Sequence, residues 1–197
     1  MDIVFPERNE QEFFEMAEKL GCNELLLVYA NAQSARNSPK PPAGLKVKTA
    51  VLADPNKARN LRGKGMPVLV KCSDRDRAVL EQGAADILFD AESIQPRDYM
   101  HQRGSGLNHV MCGLAKKNKV AIGFSFAKVL ETSGSRRAQL LGRISQNIML
   151  CRKYQVKMVI GSFARNPWQM RSAHDLASFF TVLGMHPAEA RAGLLPL

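Results

Sequence analysis

Carboxylates are missing where an ordinary solvated surface would need them. Between residues 97 and 171 only Asp98 and Glu131 stand against 14 Lys and Arg, a local net of +12, while residues 1–96 and 172–197 each come to −1. A surface built only for solubility mixes both signs, so the whole-chain charge of +10 is better explained by a polyanionic partner large enough to meet many cations at once. Paired cysteines are also lacking: Cys22, Cys72, Cys112 and Cys151 form no C-x-x-C pair and none has a His at zinc-finger spacing, so they read as reduced thiols of an intracellular protein. No apolar run approaches the roughly 18–20 residues of a membrane span, and the opening "MDIVFPERNEQEFF" lacks the basic-then-apolar order of a signal peptide. The expectation is a soluble, cytoplasmic protein with no membrane partner.

The usual signatures of protein catalysis are absent as well. The chain has no G-x-S-x-G elbow, no Walker lysine loop and no G-x-G-x-x-G opening a helix; "RGKGMP" (62–67) is a glycine turn before a strand. Its four histidines, His101, His109, His174 and His186, make no H-x-H, H-E-x-x-H or H-x-x-E-H pattern, so neither a catalytic set nor a protein-borne metal set is legible. Aromatics amount to 7%, many of the nine Phe at core spacing, and no exposed platform for stacking successive bases is visible. Recognition of structured RNA through backbone and shape suits this composition better than single-strand binding.

What is present is a regular alternation of β-branched runs with amphipathic stretches, the pattern of βα units around a mainly parallel sheet. Seven strands are expected, at 2–5, 25–30, 46–52, 67–71, 86–89, 120–124 and 157–160, in one domain spanning 1–197. Asn9 with Glu12 and Ser172 with Asp175 have the spacing of capping boxes, and Gly21 and Gly184 are placed to stop the helices they open. The Pro-, Ser- and Asn-rich stretch "NAQSARNSPKPPAG" (31–44) is expected to be a mobile surface loop.

Two helices concentrate the charge. In "RGSGLNHVMCGLAKKNKVAIGFSF" (103–126), a helix capped by Asn108 would turn Leu107, Val110, Met111 and Leu114 inward and His109 and Lys116 outward. His109 is then either a bystander or a hydrogen-bonding partner for phosphate or a 2′-hydroxyl. In "GSRRAQLLGRISQNIMLCRKY" (134–154), Leu141, Ile144, Ile148 and Cys151 share one face, and Arg136, Gln139, Arg143, Gln146 and Lys153 another. The second face carries no acid, whereas a plainly solvated helix would interleave Glu with Arg at i, i+4.

With these residues in view, "SGLNHVMCGLAKKNKVAIGFSF", "RRAQLLGRISQNIMLCRKYQVKMVIGSFA" and "MRSAHDLASFFTVLGM", in that order and spacing, resemble the archaeal ribonuclease P protein component 3 family, specifically over 103–185. The resemblance implies a TIM-like (β/α) barrel acting as an RNA-bound subunit of the ribonucleoprotein that removes the 5′ leader from precursor tRNA. It implies that the RNA and its Mg²⁺ ions carry the chemistry, that the protein itself is noncatalytic and holds no cofactor, and that protein component 2 and the other subunits are partners. Seven strands are fewer than a full eight-unit barrel, so either one strand escapes the reading or the barrel is irregular. Carried over by position, Arg103, His109, Lys117, Lys153, Arg171 and Arg77 are RNA-facing; charge geometry adds Arg136 and Arg143. Gly113 departs from the family pattern, which has a basic residue there. Two other readings are a metal-dependent phosphoesterase barrel using His109 or His174 as base, and a docking scaffold that mainly meets another protein.

Overall fold

The computed structural model describes residues 1–194; residues 195–197, the end of the single-domain expectation, lie outside the described residues. Seven parallel strands follow one another around a sheet in chain order: β1 (Asp2–Val4), β2 (Glu24–Tyr29), β3 (Lys46–Leu52), β4 (Val68–Lys71), β5 (Ile87–Phe89), β6 (Ala121–Ser125) and β7 (Met158–Gly161). Each expected strand is present, its ends shifted by no more than one residue. Helices α1 (Glu10–Lys19), α2 (Ala32–Arg36), α3 (Ala58–Leu61), α4 (Asp76–Glu81), α5 (His109–Lys117), α6 (Phe126–Leu130), α7 (Gly134–Lys153), α8 (Ala173–Val182) and α9 (Pro187–Gly193) lie in the connections and after β7. Among the described residues no helix is long and apolar enough to cross a membrane.

Among the described residues the sheet comes nearly to closure without an eighth strand. Beyond β7 the chain runs beside β1, where Phe5 N donates to Ala164 O (2.8 Å) and Ala164 N to Ile3 O (3.2 Å). The buried Asp2 carboxylate spans the same seam, its Oδ1 accepting from Ser162 N at 2.6 Å and Ile3 N at 2.8 Å. One backbone bridge and one buried carboxylate do here what the ladder of a further strand would do, and this TIM-like barrel is irregular at that seam.

Alternation in the strands separates two layers. Ile3, Phe5, Leu26, Val28, Leu69, Ile87, Phe89, Val159 and Phe163 point into the barrel, and a second set packs outward on the helices. Gly123 makes room for the inner aromatics: a Cβ there would lie 2.9 Å from Phe89 Cβ and 3.0 Å from Phe163 Cζ.

The helix signals held in part. Ser172 caps α8 through Asp175 N (3.1 Å), but Asn9 makes no cap to α1, because its Oδ1 accepts from Glu7 N at 2.9 Å. The 31–44 stretch is not all loop: Asn31 Oδ1 accepts from Ser34 N (2.8 Å) and starts α2. Five helical residues are too few to show periodicity.

Candidate nucleic-acid interface

The long connection from β5 to α5 lies as an arm (residues 91–106) against α7, and the polar side of α7 holds it. Arg143, buried to 5% exposure, donates from Nε to Asp98 Oδ1 (2.8 Å) and from Nη1 to the carbonyls of Glu92 (2.9 Å) and Gln95 (2.7 Å). Asn147 Nδ2 donates to Glu92 Oε1 (3.0 Å) and Ser105 O (2.8 Å), and Gln146 Nε2 to Ser105 Oγ (3.3 Å). Asp98 Oδ1 also accepts from Gly104 N (2.8 Å), and Arg103 Nη1 donates to Gly142 O (3.2 Å). This corrects the reading of Arg143 as an RNA-facing residue. The polar face of α7 needs no acid of its own because Asp98, arriving from another part of the chain, pairs with the buried Arg143 guanidinium, while Glu92 contributes its backbone carbonyl.

The other named cations are on the surface but not in one patch. In parallel βα units the helix returns antiparallel to the strand, so first-turn residues stand at the rim of strand C-termini and last-turn residues at the opposite rim. Arg77, His109 and Arg136 open α4, α5 and α7 and Arg171 follows β7, so these four belong to the C-terminal rim, whereas Arg103, in the arm after β5, reaches the middle of α7 at Gly142. Lys117 and Lys153 close α5 and α7 at the other rim, where the exposed Lys116, Lys119 and Lys157 accompany them. Because α5 and α7 pack side by side, the two groups form the ends of a basic wall about 26 Å apart along α7, from Arg136 to Lys153 at 1.5 Å per residue, with the arm lying between them. Arg171 is also engaged at home, donating from Nη1 to Trp168 O (3.0 Å) and Met170 O (2.6 Å).

On the outside of α5, His109, Gly113, Lys116 and Lys117 are exposed. Leu107 and Met111 are buried as expected and Leu114 half-buried, but Val110 is 43% exposed, and Cys112 and Ala115 complete the buried side. Gly113 has no atom within 4 Å of the position a Cβ would take, so nothing in the fold itself requires glycine. Gly113→Ala is expected to raise stability by about 0.5–1 kcal/mol, read as an increase in the urea midpoint at unchanged slope; a fall would mean the glycine has an internal packing role.

At the mouth formed by the strand C-termini, where α/β barrels usually carry their active sites, phenylalanines fill the space. The rings of Phe89 and Phe163 are 5.1 Å apart and those of Phe5 and Phe89 5.7 Å. Beside them Asp90, buried and left-handed at φ 64°, lies 3.7 Å from Lys71 Nζ; burial pushes its carboxyl above the ordinary range. His109 and His174, the candidate bases of the phosphoesterase reading, are both exposed on separate helices, and among the described residues no three His, Cys, Asp or Glu are grouped as a metal would require. The expectation about aromatics needs correction too: Tyr99 and Trp168 are well exposed, which their spacing did not reveal because each sits in an irregular connection.

A parallel α/β barrel with a filled interior and a basic outer wall defines the class. Within that class the chain belongs to the RNase P subunit p30 family, whose model matches residues 77–196. It is 35% identical to ribonuclease P protein component 3 of Methanosarcina acetivorans over 147 residues, covering 70% of this chain and 56% of that protein. To the component 3 protein of Thermococcus kodakarensis it is 31% identical, covering 73% and 64%. The aligned stretch thus spans less than two thirds of either relative. A chain in the cryo-EM structure of archaeal ribonuclease P with mature tRNA superposes with a TM-score of 0.74 over 98% of this chain and 86% of that one, at 24% identity, and shares its fold.

Proposed function

We propose that the protein is a subunit of the ribonuclease P ribonucleoprotein, binding the catalytic RNA and supporting removal of the 5′ leader from precursor tRNA. Its family membership carries this reading, and the outward cations of α5 and α7 support it. In this role the protein contributes no catalytic side chain: the RNA with its Mg²⁺ performs the hydrolysis, and the basic wall neutralises phosphates that otherwise repel one another. Arg77, Arg103, His109, Lys117, Arg136, Lys153 and Arg171 are the proposed RNA contacts. Protein component 2 and the other subunits are the proposed protein partners, in the cytoplasm, a location that four free cysteines suit.

The test is leader cleavage of a precursor tRNA by cognate RNA and the remaining subunits, with and without this protein. Activity at moderate Mg²⁺ should depend on it while the protein alone cleaves nothing; a mixture indifferent to its presence would refute the reading. In the same preparation, Lys117→Ala and Lys153→Ala should each weaken RNA binding and lower the salt slope of log K by about 1, with no loss of thermal stability. An unchanged slope would remove that lysine from the interface.

A further inference from the structure

The chain's single tryptophan, Trp168, is 77% exposed on a short 3-10 turn (Pro167–Gln169) between β7 and α8. A large apolar side chain held in water on a rigid backbone is unusual and marks a contact surface. The turn is braced from every side. Asn166 Oδ1 accepts from Trp168 N (2.9 Å), Gln169 Oε1 from Arg165 N (2.9 Å) and Asn166 N (3.3 Å), and Ser162 Oγ from Arg171 N (3.0 Å). The indole is therefore presented with little backbone freedom left to lose on binding.

Its flanks identify the ligand's chemistry. The Arg165 guanidinium lies 5.2 Å from the Phe5 ring centroid and that of Arg171 5.3 Å from the Phe126 centroid, so two cations rest on aromatic faces to either side of the turn. Arg165's acidic neighbour, Glu7, is 3.9 Å away and largely exposed, a loose pair of little weight. An indole accompanied by guanidiniums suits a base with its phosphates; protein hot spots use the same residue types, and the net of +12 over residues 97–171 favours the polyanion.

We propose that Trp168, Arg165 and Arg171 form a platform for an unpaired nucleotide of RNA, the base stacking on the indole and the adjacent phosphates meeting the two guanidiniums. The proposal rests on the RNA-binding reading and adds a single-stranded element to it, since only a base free of its own helix exposes a face to the indole.

The lone tryptophan supplies its own probe. An octamer of adenosine RNA should quench tryptophan emission of the full protein, and a blunt 12-base-pair RNA duplex should not, although mobility shift detects binding of both. Trp168→Ala should lower octamer affinity about tenfold, Trp168→Phe should restore most of it, Arg165→Gln should lower it about threefold, and duplex affinity should be unchanged in all three. Octamer binding without quenching, or with full affinity in Trp168→Ala, would overturn the platform while leaving the RNA-binding reading intact. Failure of both RNAs to bind would overturn both, and quenching by protein component 2 but not by RNA would reassign the indole to a protein contact.

Discussion

Gly106→Ala should be among the most damaging single substitutions in this protein, costing more than about 4 kcal/mol. Gly106 has φ +80°, which an alanine adopts only at a cost of roughly 1–2 kcal/mol. A Cβ there would also lie 2.1 Å from the carbonyl oxygen of Ala91, a backbone atom that cannot swing aside. To relieve the overlap, the turn at residues 91–93 and the end of the arm must separate, and with them go the bonds from Arg143 to Glu92 O and from Asn147 to Ser105 O. The expected result is a large drop in the urea midpoint together with new proteolytic cleavage between residues 94 and 106. Gly44→Ala is the control: Gly44 also has positive φ (+92°) but nothing within 4 Å of its Cβ position, so it should cost only the conformational part. Equal effects of the two would mean that the packing of the arm on α7 is of no consequence. Because Arg103 lies on this arm, RNA binding in Gly106→Ala should fall with arm release.

The second large effect depends on pH. Glu92 is fully buried in the contact between arm and α7, and burial pushes its carboxyl from 4.5 to about 7. The folded protein therefore binds more protons than the unfolded chain between those values. Stability is undiminished below about pH 4.5, declines as pH rises towards 7 and levels off above it. At about 1.36 kcal/mol per pH unit the penalty at pH 8 is of the order of 3 kcal/mol. Glu92→Gln keeps the shape and the acceptor for Asn147 Nδ2 and never charges, so it should be more stable than the native protein by about 2–3 kcal/mol at pH 8 and nearly equal to it at pH 4.5. Paired denaturant titrations at the two values decide it; a gain independent of pH would show that Glu92 is not the titrating group. Several other carboxyls are raised by burial, Asp2, Asp76 and Asp90 among them, so the difference between variant and native protein is the informative quantity.

The sequence by itself determined the strands, their order of appearance and the four longest helices, because each depends on alternation, turn residues and helical periodicity acting over a few positions. It also determined that the positive charge is concentrated in one segment. The resemblance of residues 103–185 supplied the family, which agrees with the match over 77–196. Closure of the barrel came only with the tertiary structure, since Asp2 meets Ser162 across 160 residues. Direction of the cations was likewise a tertiary matter. Arg136 and Arg143 occupy the same helical face in sequence, yet Arg136 meets water and Arg143 is buried against partners 45 to 51 residues away. Helical periodicity locates a residue on its own cylinder; whether solvent, a carboxylate or another segment covers that side is decided by what the chain brings back from a distance. Trp168 shows the converse: no periodicity located it, and it stands exposed on a turn whose backbone Asn166 and Gln169 fix by local hydrogen bonds.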